Sequence, residues 1–188
     1  MSRLQAYLVD FDGTLADTAL ANYLAYAGAL EEAGIWLSRE EFEQEAFGRN
    51  WRDFLPQLLQ KRGSNADPAA IAARKVSLYQ GTVGKIRFNE ALVALLENRA
   101  SGTKAALVTS ASAANVRAAL ASREALAHLF DVLITGDDVT RHKPDPQGYR
   151  LAAQRLGVFP ENCLVFEDSD IGMMAGVAFG APVLRILL

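Results

Sequence analysis

Apolar residues along this chain fall into two patterns: short unbroken runs bounded by turn signals, and longer stretches where they recur every three or four positions. Runs rich in apolar and β-branched residues cover 4–9, 105–109, 132–135 and 163–166. Unbroken runs of this kind predict strands buried on both faces, as in a parallel sheet. From Asn89 onward they alternate with helical patterns over 89–99, 113–129, 146–156 and 171–179, and a last run at 182–186 supplies a fifth strand. That alternation is the βαβ rhythm of an α/β protein with a doubly wound, Rossmann-like parallel sheet.

Between the first run and Asn89 the rhythm changes: no strand-like run is found, and helix signals succeed one another. Asp17 or Thr18 can cap a helix running to Gly34, and Ser38 with Glu41 three residues on has the capping-box pattern. Positions 51–59 are helical in pattern, with Pro56 bending the helix or marking a late start. Asp67-Pro68 supplies a cap and a first-turn proline for a helix ending near Gly81. Residues 17–82 are thus predicted to form a small α-helical cap domain of about four helices, inserted into an α/β core domain made of 1–16 and 83–188. The insert leaves the sheet just after Asp12 and returns before Asn89, so it lies over the carboxyl end of the first strand as a lid. Trp36 and Trp51 are assigned to its core, and His128 to an apolar helix end.

Composition narrows the class. With 188 residues, 51% of them hydrophobic, the chain can bury one good-sized core with a small satellite. The net charge of −3 and the lack of any Lys/Arg run leave no footprint for nucleic acid or an anionic membrane. The apolar stretch after Met1 is too short for a signal peptide, and no run is long enough to span a bilayer. The one cysteine, Cys163, sits at a strand position with no basic neighbour to generate a thiolate. A cytoplasmic monomer is expected.

The chemistry-bearing residues all fall at predicted strand ends. Asp10-Phe11-Asp12-Gly13-Thr14 follows the first strand, placing two carboxylates where open α/β sheets bind ligands. Taken alone, this could be an ordinary turn. Thr109-Ser110-Ala111 ends the second run just before a helix, offering a hydroxyl and backbone N–H groups to an anion, although Ser110 alone could be a plain N-cap. His142-Lys143-Pro144 brings a lysine stiffened by proline, and Glu167-Asp168-Ser169-Asp170 ends the 163–166 run with oxygens that suit a hard cation. Together they supply what phosphoryl transfer requires: a nucleophile, a proton carrier, a Mg²⁺ cage and two groups that neutralise phosphate oxygens.

In this order, Asp10-x-Asp12-Gly13-Thr14, Ser110, Lys143-Pro144 and Glu167-Asp168 resemble the four motifs of the haloacid dehalogenase-like superfamily, over nearly the whole chain. The helical insert is similar to the cap of the β-phosphoglucomutase and sugar-phosphate phosphatase branch. Within it, His142-Lys143-Pro144 and Val165-Phe166-Glu167-Asp168-Ser169-Asp170-x-Gly172 look most like fructose-1-phosphate phosphatase-like proteins. The resemblance implies Asp10 as nucleophile and Asp12 as general acid and base. It implies Mg²⁺ held by Asp10, the Asp12 backbone carbonyl and Asp168, with Glu167 beside them, and Ser110 and Lys143 on the phosphoryl oxygens.

The same resemblance places Gly48-Arg49-Asn50-Trp51-Arg52 in the cap region that contacts substrate, making Arg49, Asn50 and Arg52 the expected substrate-binding residues, with Arg74 and Lys75 weaker ones. Mutase relatives carry a histidine where this chain has Asn22, which favours hydrolysis of a small phosphorylated metabolite, a sugar phosphate, over isomerisation. Two rivals remain open at this stage. One is a β-phosphoglucomutase-type isomerase. The other is a phospho-acceptor signalling domain, which also uses acids, a hydroxyl and a lysine around Mg²⁺ but needs no lid.

Overall fold

A computed structural model describes residues 4–188; the side chains of Glu124 and Ala127 are excepted, and Met1 lies outside the described residues. Five parallel strands, β1 (Ala6–Val9), β4 (Lys104–Val108), β5 (Val132–Ile134), β6 (Cys163–Glu167) and β7 (Val183–Arg185), form one sheet in the order β5-β4-β1-β6-β7. β1 pairs with β4 on one side and β6 on the other, with Val9 level with Leu107 and with Phe166. The connections run outward from β1 through β4 to β5, then return to its other side at β6. The order therefore reverses around β1, and the crevice at the carboxyl ends of β1, β4 and β6 is where ligands bind in such sheets.

Successive side chains point to opposite faces, and both faces are covered. Ala6, Leu8, Ala106 and Val165 pack with Tyr149, Ala152 and Leu156 of α7 (Gln147–Leu156) and with Ala175 and Phe179 of α8 (Asp170–Phe179). Val9, Leu107 and Phe166 pack on the other face against α5 (Glu90–Glu97) and α6 (Ala113–Ala121).

The insert is helical: α1 (Ala19–Glu31), α2 (Arg39–Glu45), α3 (Trp51–Lys61) and α4 (Pro68–Tyr79). Tyr26, Leu30, Phe42, Phe54, Leu55, Leu58, Leu59 and Ile71 form its own buried cluster. Its caps agree with the sequence signals: Ser38 Oγ accepts from the Glu41 N–H at 3.1 Å, and Asp67 Oδ1 from the Ala69 N–H at 2.9 Å. α3 begins at Trp51, capped by Asn50, so Pro56 does not mark a late start.

Four expectations are corrected. Two short strands flank the insert, β2 (Ala16–Asp17) and β3 (Arg87–Phe88), paired antiparallel. They tie the outgoing chain to the returning one, with the Arg87 guanidinium 2.8 Å from Asp17 Oδ2; two residues each are too few for an alternating pattern. The expected helix over 113–129 breaks after Ala121. Ser122 Oγ donates back to the Ala119 carbonyl at 2.6 Å, Arg123 leaves helical geometry, and a 3₁₀ turn over Glu124–His128 follows. Leu126 and Leu129 remain buried, so the apolar period survives the break. His128 is exposed rather than packed. Trp36 is 71% exposed and does not belong to the bundle core, whereas Trp51 packs against it.

Candidate active site

β1 delivers Asp10 to the centre of the crevice, where its backbone N–H donates to the Phe166 carbonyl at 3.0 Å, continuing the β1–β6 ladder by one residue. The carboxylate is 6% exposed and meets two kinds of charge. The Lys143 ammonium lies 2.5 Å from Asp10 Oδ1, 2.6 Å from Glu167 Oε1 and 3.1 Å from the Val108 carbonyl. On the other side, carboxylate oxygens of Asp10, Glu167 and Asp168 lie within 4.8 Å of one another.

Three carboxylates sharing one ammonium carry surplus negative charge, and the titration of the group reflects it. Burial, then the fields of Glu167, Asp168 and Asp12, raise Asp10 well above the ordinary carboxylate range against the opposing pull of Lys143. Burial and Glu167 raise Asp168. Burial alone would lower Lys143, but Asp10, Tyr149 and Glu167 outweigh it and hold the ammonium charged. An all-oxygen donor set with excess negative charge fits a hard divalent cation, and Asp10, Asp168 and Glu167 are the side chains that could hold one.

Glu167 sits behind this front. It is fully buried; Oε1 accepts from the Tyr149 hydroxyl at 2.6 Å as well as from Lys143, and Ser169 Oγ donates to Oε2 at 3.4 Å. It thereby also anchors Lys143 from within the protein.

Asp12 is held separately. Thr18 Oγ1 and Asn22 Nδ2 both donate to its Oδ1, the latter at 3.1 Å, and Thr109 Oγ1 donates to Oδ2 at 3.4 Å. Thr18 occupies the cap position of α1 without capping it; its hydroxyl is directed to Asp12 instead. Two carboxylates two residues apart thus have different environments: Asp10 among charges, Asp12 among neutral donors, a division that suits different roles.

Asp10, Asp12, Ser110, Lys143 and Asp168 line one cavity of about 270 Å³, roofed by the bundle through Arg49, Trp51 and Lys75. Ser110 is not the N-cap of α6: Ser112 Oγ accepts from the Asn115 N–H, leaving the Ser110 hydroxyl free of that duty. Of the three expected substrate contacts, Arg49 lines the cavity, with its Nη1 donating to the Glu45 carbonyl at 3.0 Å. Asn50 is buried, with both ends of its amide engaged within the protein. Arg52 lies over the Trp51 ring at 4.6 Å, outside the cavity lining.

The residue that sequence reasoning ranked too low is Lys75. It is 2% exposed, its Nζ donates to Asn22 Oδ1 at 2.6 Å, and it lies 4.3 Å from the Tyr79 ring and 4.8 Å from that of Tyr26. Burial pushes its pKa down to about 7 against the upward pull of Asp12. A chain of contacts therefore runs from the bundle to the site: Lys75 to Asn22, Asn22 to Asp12. The signal was available in the periodicity, because Lys75 falls on the buried stripe of Ile71, Ala72 and Tyr79, whereas Arg74 points outward to Glu32 at 2.7 Å. Cys163 is buried, its thiol pushed up to about 11 by desolvation, and is inert packing.

A reversing parallel sheet with acids and a lysine at its switch point, under an inserted helical bundle, defines an α/β enzyme that handles anions at its strand ends. More specifically, the chain belongs to the haloacid dehalogenase-like hydrolases, whose family model matches residues 4–180. It is similar to the fructose-1-phosphate phosphatase YqaB of Escherichia coli strain K12, 28% identical over 99% of this chain and 98% of that protein. It is also similar to hexitol phosphatase A of the same organism, 32% identical over 98% of this chain and 83% of that protein. The crystal structure of CbbY from Rhodobacter sphaeroides in complex with phosphate superposes with a TM-score of 0.90 at 26% identity, covering 98% of this chain and 87% of that one.

Proposed function

We propose that this chain is a Mg²⁺-dependent phosphatase acting on a small phosphorylated metabolite, a sugar phosphate, through an aspartyl-phosphate intermediate. The observation that carries this is the pairing at the end of β1. Asp10 sits among Lys143 and the acids within bonding reach of a cavity, and Asp12 faces the same cavity held by uncharged donors. The similarity to a fructose-1-phosphate phosphatase and to a hexitol phosphatase supports the substrate class.

In the proposed reaction an Asp10 carboxylate oxygen bonds to phosphorus as the bond from phosphorus to the sugar oxygen breaks, and Asp12 gives its proton to the departing oxygen. Asp12 then takes a proton from the water that attacks phosphorus, releasing phosphate and restoring Asp10. Lys143 and Ser110 bind phosphoryl oxygens; Asp10, Asp168 and the Asp12 carbonyl are the groups that would hold the cation, with Glu167 beside them. Bound there, Mg²⁺ would offset the mutual repulsion of an anionic carboxylate and an anionic phosphate. Arg49 is the cap residue assigned to the sugar. Residues 17–82 act as the cap on a core of 1–16 and 83–188, in a cytoplasmic enzyme working as a monomer.

Hydrolysis is favoured over isomerisation because Asn22, which contacts Asp12, is a neutral amide and not a titrating histidine. A Mg²⁺-dependent screen of sugar phosphates, phosphoglycolate and nucleotides tests the proposal. Free phosphate released fastest from a sugar phosphate is expected. Formation of glucose 6-phosphate from β-glucose 1-phosphate as the main product would replace the phosphatase with a mutase, and a long-lived phosphoprotein without turnover would point to a signalling domain.

A further inference from the structure

Asn50 is placed between two elements far apart in sequence. Its Oδ1 accepts from the Arg52 N–H at 3.0 Å, capping α3, and its Nδ2 donates to the carbonyl of Ser110 at 3.1 Å, across sixty positions of chain. Asn50 is 5% exposed, so the donor end of its amide is largely shielded from water. The path between them is open only because residue 136 has no side chain. A Cβ on Gly136 would lie 2.4 Å from the Ser110 carbonyl oxygen and 2.9 Å from Asn50 Nδ2. Gly136 is itself fixed, its N–H donating to the Ala111 carbonyl at 2.8 Å.

We propose that Asn50 is a positioning residue: its amide, passing through the gap at Gly136, fastens the bundle to the main chain of Ser110. The tether holds Arg49, one residue before it, at a set separation from the Ser110 loop, so that the two ends of one substrate are met at once. The inference rests on reading Ser110 and Arg49 as substrate contacts; the tether itself does not depend on that reading.

The two jobs of Asn50 can be separated. Asn50→Asp keeps an oxygen able to cap α3 and has no donor for Ser110, and Asn50→Ser keeps a capping oxygen on a side chain too short to reach the Ser110 carbonyl as well. Gly136→Ala blocks the same contact from the other side and leaves the cap untouched. Each variant is expected to raise KM for the best sugar phosphate about tenfold with a much smaller change in kcat, since the tether preorganises two groups that bind the substrate without reacting. The double variant Asn50→Ser/Gly136→Ala should be no worse than the worse single one, because one contact cannot be lost twice.

A second readout needs no catalysis. Nitroxide labels on Gln60→Cys and Asn98→Cys, both exposed positions, would report the distance between α3 and the core, with buried Cys163 left in place. A broader or longer distance distribution in Asn50→Ser and in Gly136→Ala, relative to the parent, is expected. Unchanged distances in both variants would overturn the tether, as would fully additive effects in the double variant. If the labels move but no ester is hydrolysed even by the parent, the tether stands and the phosphatase reading fails.

Discussion

At the scale of single residues, the least expected side chain is Lys75. Its folded pKa, about 7, lies below the unfolded value of about 10.4, so between those limits the unfolded chain binds more protons than the folded one. Stability therefore rises with pH across that window, and below about pH 7 the protein bears the full cost of burying the ammonium. Lys75→Met is expected to raise the urea midpoint at pH 6, equivalent to about 1–3 kcal/mol, with the gain shrinking toward pH 10. The same variant should lose activity, because Asn22 would lose the partner that orients it toward Asp12. A lower midpoint at pH 6 than the parent's would show that the hydrogen bond to Asn22 outweighs desolvation. The helical period puts Lys75 on the apolar stripe, but only tertiary packing decides that its ammonium is enclosed and not at the edge of the helix face.

At the scale of elements, the loop from β4 to α6 places two serines with separable duties. Ser112 caps α6, and Ser110 faces the cavity. Ser112→Ala should lower stability by about 1 kcal/mol in urea unfolding. Ser110→Ala should leave that stability within error and reduce kcat/KM, a contrast that fails if both serines affect unfolding alike. A similar test falls at the start of α8, where a Cβ on Gly172 would lie 2.0 Å from the Glu167 carboxylate. Gly172→Ala is expected to cost about 1–3 kcal/mol of stability by overpacking and to raise the Mg²⁺ concentration needed for half-maximal rate. Unchanged unfolding and an unchanged Mg²⁺ requirement would mean that Glu167 can give way freely.

The strands and the four-helix insert were legible in the sequence because continuous apolar runs and capping signals are local features. β1, β4 and β6 were readable down to the acids and hydroxyls at their carboxyl ends, and Lys143 in the loop that follows β5. The paired strands β2 and β3 were not, since each is two residues long and exists through pairing across the insert. The break at Ser122 was hidden by Leu126 and Leu129, which keep the helical period although the backbone does not. The sequence marks Asn50 as a candidate substrate contact, but its bond to the Ser110 carbonyl depends on a long-range approach that no spacing encodes.

At the scale of the whole molecule, the sheet supplies the reaction centre and the inserted bundle supplies the roof, and the two meet at Asp12. Its Oδ1 is held by Thr18 and Asn22 from α1 and its Oδ2 by Thr109 from the end of β4. The group assigned to proton transfer is thus the one most directly sensitive to how the bundle sits, whereas Asp10, the proposed nucleophile, is held from the core side by Lys143, which Glu167 anchors in turn. Chelation of Mg²⁺ should abolish turnover and restoration of the metal should recover it, because the surplus of carboxylates around Asp10 otherwise repels the substrate. The central claim is that Asp10 attacks phosphorus, and turnover of Asp10→Asn on the best sugar phosphate in saturating Mg²⁺ tests it most directly. A loss of at least about a thousandfold in kcat with an unchanged circular-dichroism spectrum is predicted, since the amide cannot act as the nucleophile; turnover near that of the parent enzyme would contradict it.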